Sequence, residues 1–143
     1  MNTNLVVCLA IQRAHASLRL KLDEELGTYH GISFGDFVLL DLLAQSANGR
    51  VSIVELVRPL GLPQSAVLRQ LISLEKIGLV VRDGESNERY AALRTAGRVL
   101  VNAASETADS ICARAVTSIS PATAGLVSTA LVTLACAPAL VLS

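Results

Sequence analysis

The chain has 143 residues, a length that suits one domain with a single core and leaves no room for two generous ones. Hydrophobic residues make up 52% and aromatics only 3%, so the core must come from Leu, Val, Ile and Ala, which favours helix packed on helix. Formal net charge is zero, but residues 50–98 hold eight bases against five acids, so binding of a polyanion must rest on a local patch rather than on overall charge.

Leu5 to Leu26 reads as one long helix that Gly27 ends. Ile11, His15, Leu18, Leu22 and Leu26 form one stripe; Leu5, Leu9, Ala16 and Leu20 form a second beside it. A helix apolar on two faces is expected between two bodies, its own domain and a second subunit. Ser33 caps the next helix, with Asp36 three residues on and Phe37, Leu40, Leu43 and Ala44 facing inward. Ser46-Ala47-Asn48-Gly49 is a loop by composition.

Val51 to Gly97 reads as one unit: helix, turn, second helix, then a small hairpin. Ser52-Ile53-Val54-Glu55 fits a capping box. Gly61-Leu62-Pro63 breaks that helix and starts another, with Pro63 expected in its first turn. Val67, Leu71 and Leu74 recur at helical spacing, and Gln64, Ser65, Arg69 and Gln70 stay off that stripe. Gly78 closes the helix, Leu79-Val80-Val81 reads as a strand, and residues Asp83 to Asn87 form the tip of a hairpin read as basic. Thr95 to about Ser118 reads as a long Ala-rich helix, and Pro121 starts the last one.

From Ala115 onward no residue is charged, yet Pro121 and Pro138 bound the apolar run at 16 residues, short of the roughly 20 that span a bilayer. A buried helix between subunits is expected there, and no membrane contact. Cys8, Cys112 and Cys136 are too scattered for a disulfide framework or zinc site, and with no secretory signal a reducing cytoplasm is expected.

A helix-turn-helix followed by a basic hairpin is the layout of a winged-helix DNA reader. A helix fits the major groove, where Arg bonds guanine and Gln bonds adenine, so Gln64, Ser65, Arg69 and Gln70 are candidate contacts. Leu68 is suited to a thymine methyl, and Arg82, Ser86, Asn87 and Arg89 in the hairpin suit phosphate or the minor groove. Taken singly, each of these is more simply a solvated side chain; taken as an ordered unit they point to DNA.

Gly61-Leu62, Val67, Arg69, Leu74-Glu75-Lys76, Gly78-Leu79-Val80 and Arg82 resemble the recognition helix and first wing strand of MarR-type transcriptional regulators. Asn87-Glu88-Arg89 resembles their Asp-x-Arg wing signature, and Leu93 with Gly97 the Leu-Thr-x-x-Gly that follows. The resemblance covers nearly the whole chain. It implies a mainly α fold, a winged helix-turn-helix with a small β-hairpin wing plus N- and C-terminal dimerisation helices. The chain is then a single domain, with the winged part at about residues 33–97 and dimerisation helices at about 3–27 and 95–142. The implied function is a homodimeric repressor on a palindromic double-stranded operator, released by a small ligand or an oxidant.

Asn87 stands where the family usually has Asp, Arg94 where it has Thr, Ser73 where an Arg is common, and Ala66 and Leu68 where hydroxyls are frequent. Ala66, Leu68, Ser73 and Asn87, together with the uncharged tail, motivate a second reading, a dimeric interaction protein of the same fold with weakened or lost operator binding.

For sensing, an effector crevice is expected beside His15, walled by Ile11, Leu18, Phe34, Phe37 and Leu40, and suited to a hydrophobic or aromatic acid. A histidine satisfied within the subunit interface, or even exposed, is the plainer reading of His15. Cys8 invites a redox-sensing alternative, although a buried inert thiol is the expected state because no base lies beside it. The chain has no phosphate loop, dinucleotide fingerprint, nucleophile motif or ligand cluster, so no enzyme activity, cofactor or metal is expected.

Overall fold

A computed structural model of the chain describes residues 2–85 and 88–141. The contacts divide the chain into two compact units, residues 1–108 and 109–143. The first unit holds α1 (Thr3–His30), α2 (Phe34–Ala44), β1 (Val51–Ser52), α3 (Ile53–Leu60), α4 (Gln64–Lys76), β2 (Val80–Asp83) and β3 (Tyr90–Leu93). It also holds most of α5 (Thr95–Val116), and the second unit adds α6 (Pro121–Ala135) and α7 (Pro138–Val141). The fold is mainly helical with a small antiparallel sheet, as the sequence predicts.

α1 runs past Gly27 to His30 and ends at Gly31, whose φ of 70° is left-handed and whose N–H reaches the Gly27 carbonyl. Glycine inside a helix costs only about 1 kcal/mol, whereas the left-handed cap needs a residue without Cβ, so the stop falls at the later glycine. Of the two expected apolar stripes, only Leu22 and Leu26 are buried. Leu5, Leu9 and Leu20 are 51%, 46% and 72% exposed within the single chain.

The Ser33 capping box forms: Ser33 Oγ accepts the Asp36 N–H at 2.9 Å and Asp36 Oδ2 accepts the Ser33 N–H at 3.1 Å. The box expected at Ser52 does not form. Ser52 holds the N-cap position with no side-chain bond, because Val51 and Ser52 pair with Ala91 and Tyr90 as a short strand. The Ile53 N–H goes to the Arg89 carbonyl at 3.0 Å, so the sheet meets the need that a cap would have met. Pro63 sits at the N-cap of α4 rather than in its first turn, and its carbonyl accepts the Val67 N–H.

The sheet order is β1-β3-β2, with β2 and β3 in register from Val80↔Leu93 to Asp83↔Tyr90. Gly97 explains itself by a close approach: a Cβ there would collide with the Leu79 carbonyl, which also accepts the Arg94 N–H. Glycine thus lets α5 start against the turn that leads into the wing.

The core of the first unit joins Leu39, Leu40 and Leu43 of α2, Leu56 of α3, and Val67, Leu71 and Leu74 of α4. Val80, Ala91, Val101 and Ala104 are buried as well, as are Leu22 and Leu26 of α1 and Ile53 of α3. Each large side chain so buried contributes about 1.5–3 kcal/mol, which holds α4 and the wing in one body.

In the second unit, Ser120 caps α6 by accepting the Thr123 N–H at 3.1 Å, with Pro121 at its first turn as expected. The charge-free tail is not one helix: α6 stops at Ala135 and α7 begins at Pro138. Leu126, Val127, Leu131 and Val132 of α6 are 42–72% exposed. Among the described residues no single helix is long and apolar enough to cross a membrane.

Candidate nucleic-acid interface

The outer face of α4 is set by its inner one. With Val67, Leu71 and Leu74 turned into the core, helical geometry places Gln64, Ser65 and Arg69 in solvent, and all three are exposed. Leu68 is half-buried beside them. Gln70 lies at the margin: it is half-buried, and its Nε2 donates to Asp36 Oδ1 at 3.1 Å. Asp36 therefore serves two elements, closing the α2 cap with one oxygen and holding α4 with the other.

The wing contributes Arg82 and Arg89, while Ser86 and Asn87 lie outside the described residues. Arg89 is exposed. Arg82 is engaged elsewhere. Its backbone N–H donates to Glu75 Oε2 at 3.0 Å, and its Nε and Nη2 donate to Oε1 at 3.1 and 3.0 Å. The Glu75 carboxyl is accordingly held below the usual carboxylate range, first by the Arg82 N–H and further by the guanidinium.

The sequence reading missed Arg50. Its guanidinium stacks 3.9 Å above the Tyr90 ring, and its Nη2 lies 3.4 Å from Asp83 Oδ1. It sits just before β1, a strand too short to register as a pattern, so only the sheet register shows that it borders the wing. The hairpin is less basic than expected. Residues 82–89 hold two arginines against Asp83, Glu85 and Glu88, and Arg82 is already paired with Glu75. Arg50 is likewise paired, with Asp83, which leaves Arg69 and Arg89 as the exposed arginines of the helix and the wing.

The expected effector residues are dispersed in burial. His15 is exposed, Leu18 is 36% exposed and Ile11 is half-buried. Phe34 and Phe37 stack with ring centres 6.4 Å apart, and the Phe34 N–H donates to Asp23 Oδ1 at 2.7 Å. Leu40 is fully buried in the core of this unit and offers no wall, because the inward face of α2 is already covered by the helices packed on it. An open cleft of about 250 Å³ lies instead in the wing, lined by Arg82, Asp83, Gly84 and Arg89. The second histidine, His30, bonds Thr107 Oγ1 at 2.8 Å.

Cys8 is exposed in the single chain, not buried as expected, because the first half of α1 has no cover. Burial, with Asp109 nearby, pushes the Cys112 thiol up and so disfavours its thiolate. Among the described residues no group of three or more His, Cys, Asp or Glu is placed to hold a metal ion.

The IclR helix-turn-helix domain profile matches residues 37–84, the stretch from α2 to the wing. No curated protein matches the chain significantly. Among solved structures, CouR from Rhodococcus jostii RHA1 bound to p-coumaroyl-CoA is similar, with a TM-score of 0.84 and 21% identity over 92% of this chain and 93% of that one. A MarR family transcriptional regulator from Streptomyces coelicolor in complex with DNA has a TM-score of 0.81 at 21% identity, over 94% of this chain and 88% of that one. A MarR family protein of Mycobacterium tuberculosis in complex with p-aminosalicylic acid has a TM-score of 0.70 at 27% identity, over 88% and 95%. From the long first helix to the last, this chain has the winged helix-turn-helix fold of the MarR family transcriptional regulators.

Proposed function

We propose that the chain is a DNA-binding transcriptional regulator, a homodimeric repressor of nearby genes on a palindromic operator. The observation that carries this reading is the pairing of an exposed polar face on α4, Gln64, Ser65 and Arg69, with Arg89 on a wing fixed to the same core. A helix face of that kind suits the major groove, and a flanking arginine suits phosphate or the minor groove. The Streptomyces structure, solved with DNA, supports the same use of the fold.

Release by a small hydrophobic or aromatic acid completes the proposal, with Ile11, His15, Leu18, Phe34 and Phe37 as the residues to contact it. The Mycobacterium tuberculosis structure of this fold, which holds p-aminosalicylic acid, supports that class of effector, whereas the Rhodococcus one holds a CoA thioester. An effector must bind one dimer state better than the other, since equal binding shifts nothing.

A second reading has an observation of its own. Gln70 and Arg82 are bonded inside the protein and the wing carries three acids, which favours an interaction protein with weakened operator binding. Gel shift against the promoter DNA of neighbouring genes separates the two, with aromatic acids and hydroperoxide added in parallel. The regulator reading expects a shifted complex that an acid dissolves. Absence of any shift favours the second reading, and release by peroxide that disappears in Cys8→Ser replaces the acid with a redox trigger.

A further inference from the structure

We propose that Glu75 is a positioning residue of the DNA-reading surface: its carboxylate fastens the first wing strand to the recognition helix and keeps Arg82 off the duplex, so that Arg69 and Arg89 meet DNA as one rigid unit. This rests on the DNA-binding reading above.

Glu75 lies in the last turn of α4, and the chain reaches Arg82 through one turn and half of β2. In the order β1-β3-β2 the strand β2 is an edge, so it has backbone donors on the side away from β3 that no other strand can accept. The Arg82 N–H is one of them, and Glu75 Oε2 takes it at 3.0 Å. The other carboxylate oxygen takes two guanidinium donors of the same residue. One side chain is therefore held by backbone and head group together, which a chance surface ion pair does not achieve. Both partners are largely shielded, with 28% of the Arg82 side chain and 32% of the Glu75 side chain exposed.

Charge-assisted fork bonds are short and directional, so they fix orientation as well as distance. The Glu75 carboxylate joins the two elements that carry the candidate contacts, α4 with Arg69 and the hairpin with Arg89. An arginine whose charge is already neutralised by a carboxylate releases few counterions on meeting phosphate, so Arg82 adds little to affinity directly. Its work is internal.

The test uses the full chain and the DNA fragment that the wild-type protein binds. Arg89→Ala should flatten the dependence of log K on log salt by about one unit, and Arg82→Ala, which keeps the backbone bond to Glu75, should flatten it by less. Glu75→Gln should speed hydrogen exchange of the Arg82 amide about tenfold or more without DNA present, and should weaken DNA binding. Arg89→Ala should then cost less in the Glu75→Gln background than in the wild type, because the arginine's placement is already lost. Glu75→Asp, which keeps the charge but shortens the reach, should fall between. Should Glu75→Gln fail to fold, Glu75→Asp and Arg82→Lys carry the same exchange and coupling measurements. A salt slope flattened as much in Arg82→Ala as in Arg89→Ala, tighter DNA binding in Glu75→Gln, or unchanged exchange at Arg82 overturns the proposal. A wild-type chain that binds no duplex overturns the DNA-reading function, and the positioning role with it.

Discussion

The winged body and the terminal helices are built from the same residues and come to opposite ends. In α4, Val67, Leu71 and Leu74 are at most 2% exposed, while in α6 Leu126, Val127, Leu131 and Val132 are 42–72% exposed. α4 is two-sided, with Gln64, Ser65 and Arg69 opposite its buried stripe, so its own chain can cover the apolar side. α6 has no charged residue on any side, and the first half of α1 is apolar on two. A helix without a polar face has no orientation that satisfies it in water. The difference teaches that composition reports how much surface must be covered, and only amphipathicity tells whether the same chain covers it.

The largest test of that contrast removes the uncovered part. Deleting Pro121 to Ser143 should yield aggregates or unfolded chains, because the proposed homodimer would lose the surface that closes it. A well-folded monomer in sedimentation would show that the tail is not needed for assembly.

Next in size is a pair of matched truncations. Leu71→Ala should destabilise the chain by about 2–5 kcal/mol in urea unfolding, since it leaves a cavity among fully buried neighbours. Leu126→Ser should leave the melting of the dilute protein nearly unchanged but weaken self-association about tenfold or more. Equal effects on both readouts would erase the distinction between the two regions.

What was legible in the sequence was local. The Ser33–Asp36 box, the Val67–Leu71–Leu74 stripe, the Gly78 stop and Pro121 at the start of α6 all depend on residues within a turn or two of each other. What was not legible depends on residues far apart. Asp36 and Gln70 are 34 positions apart and meet only because α2 and α4 share a core. β1 has two residues, too few for an alternating pattern, yet it displaces the expected Ser52 cap. Glu75 and Arg82 are seven apart across a turn, a spacing that no helical or strand rule singles out. Leu40 shows the remaining limit: helical period identified it as inward, but not that the inward side would be sealed.

Within the body, a smaller contrast separates the exposed arginine of the helix from that of the wing. Arg69→Ala should cost about 1–3 kcal/mol in DNA binding and relax preference at one operator position, as a base contact does. Arg89→Ala should weaken all duplexes alike, and its loss should shrink as salt rises. Titrating each variant over a set of single-base operator changes, at two salt concentrations, distinguishes them. Identical profiles would put both residues in the same class of contact.

The smallest effect expected lies in the pH dependence of the Glu75–Arg82 bond. The folded state holds the Glu75 carboxyl below its ordinary value, first through the Arg82 N–H, then through the guanidinium, with Arg94 adding its charge. A depressed folded value means that the stabilisation is complete above the unfolded carboxylate pKa, about 4.3, and is lost as pH falls through the lower folded one. Wild type should therefore exceed Glu75→Gln in stability at neutral pH, and the gap should close in acid below that range. About a third of the carboxylate side chain is exposed, so solvent screening keeps the gap within about 1 kcal/mol. Urea unfolding of the pair at pH 7 and at about pH 3 reads it directly. A gap that stays constant would mean that the Glu75 carboxylate does not carry the bond, and that the helix and wing are held together by the core residues Val67, Leu74 and Val80 alone.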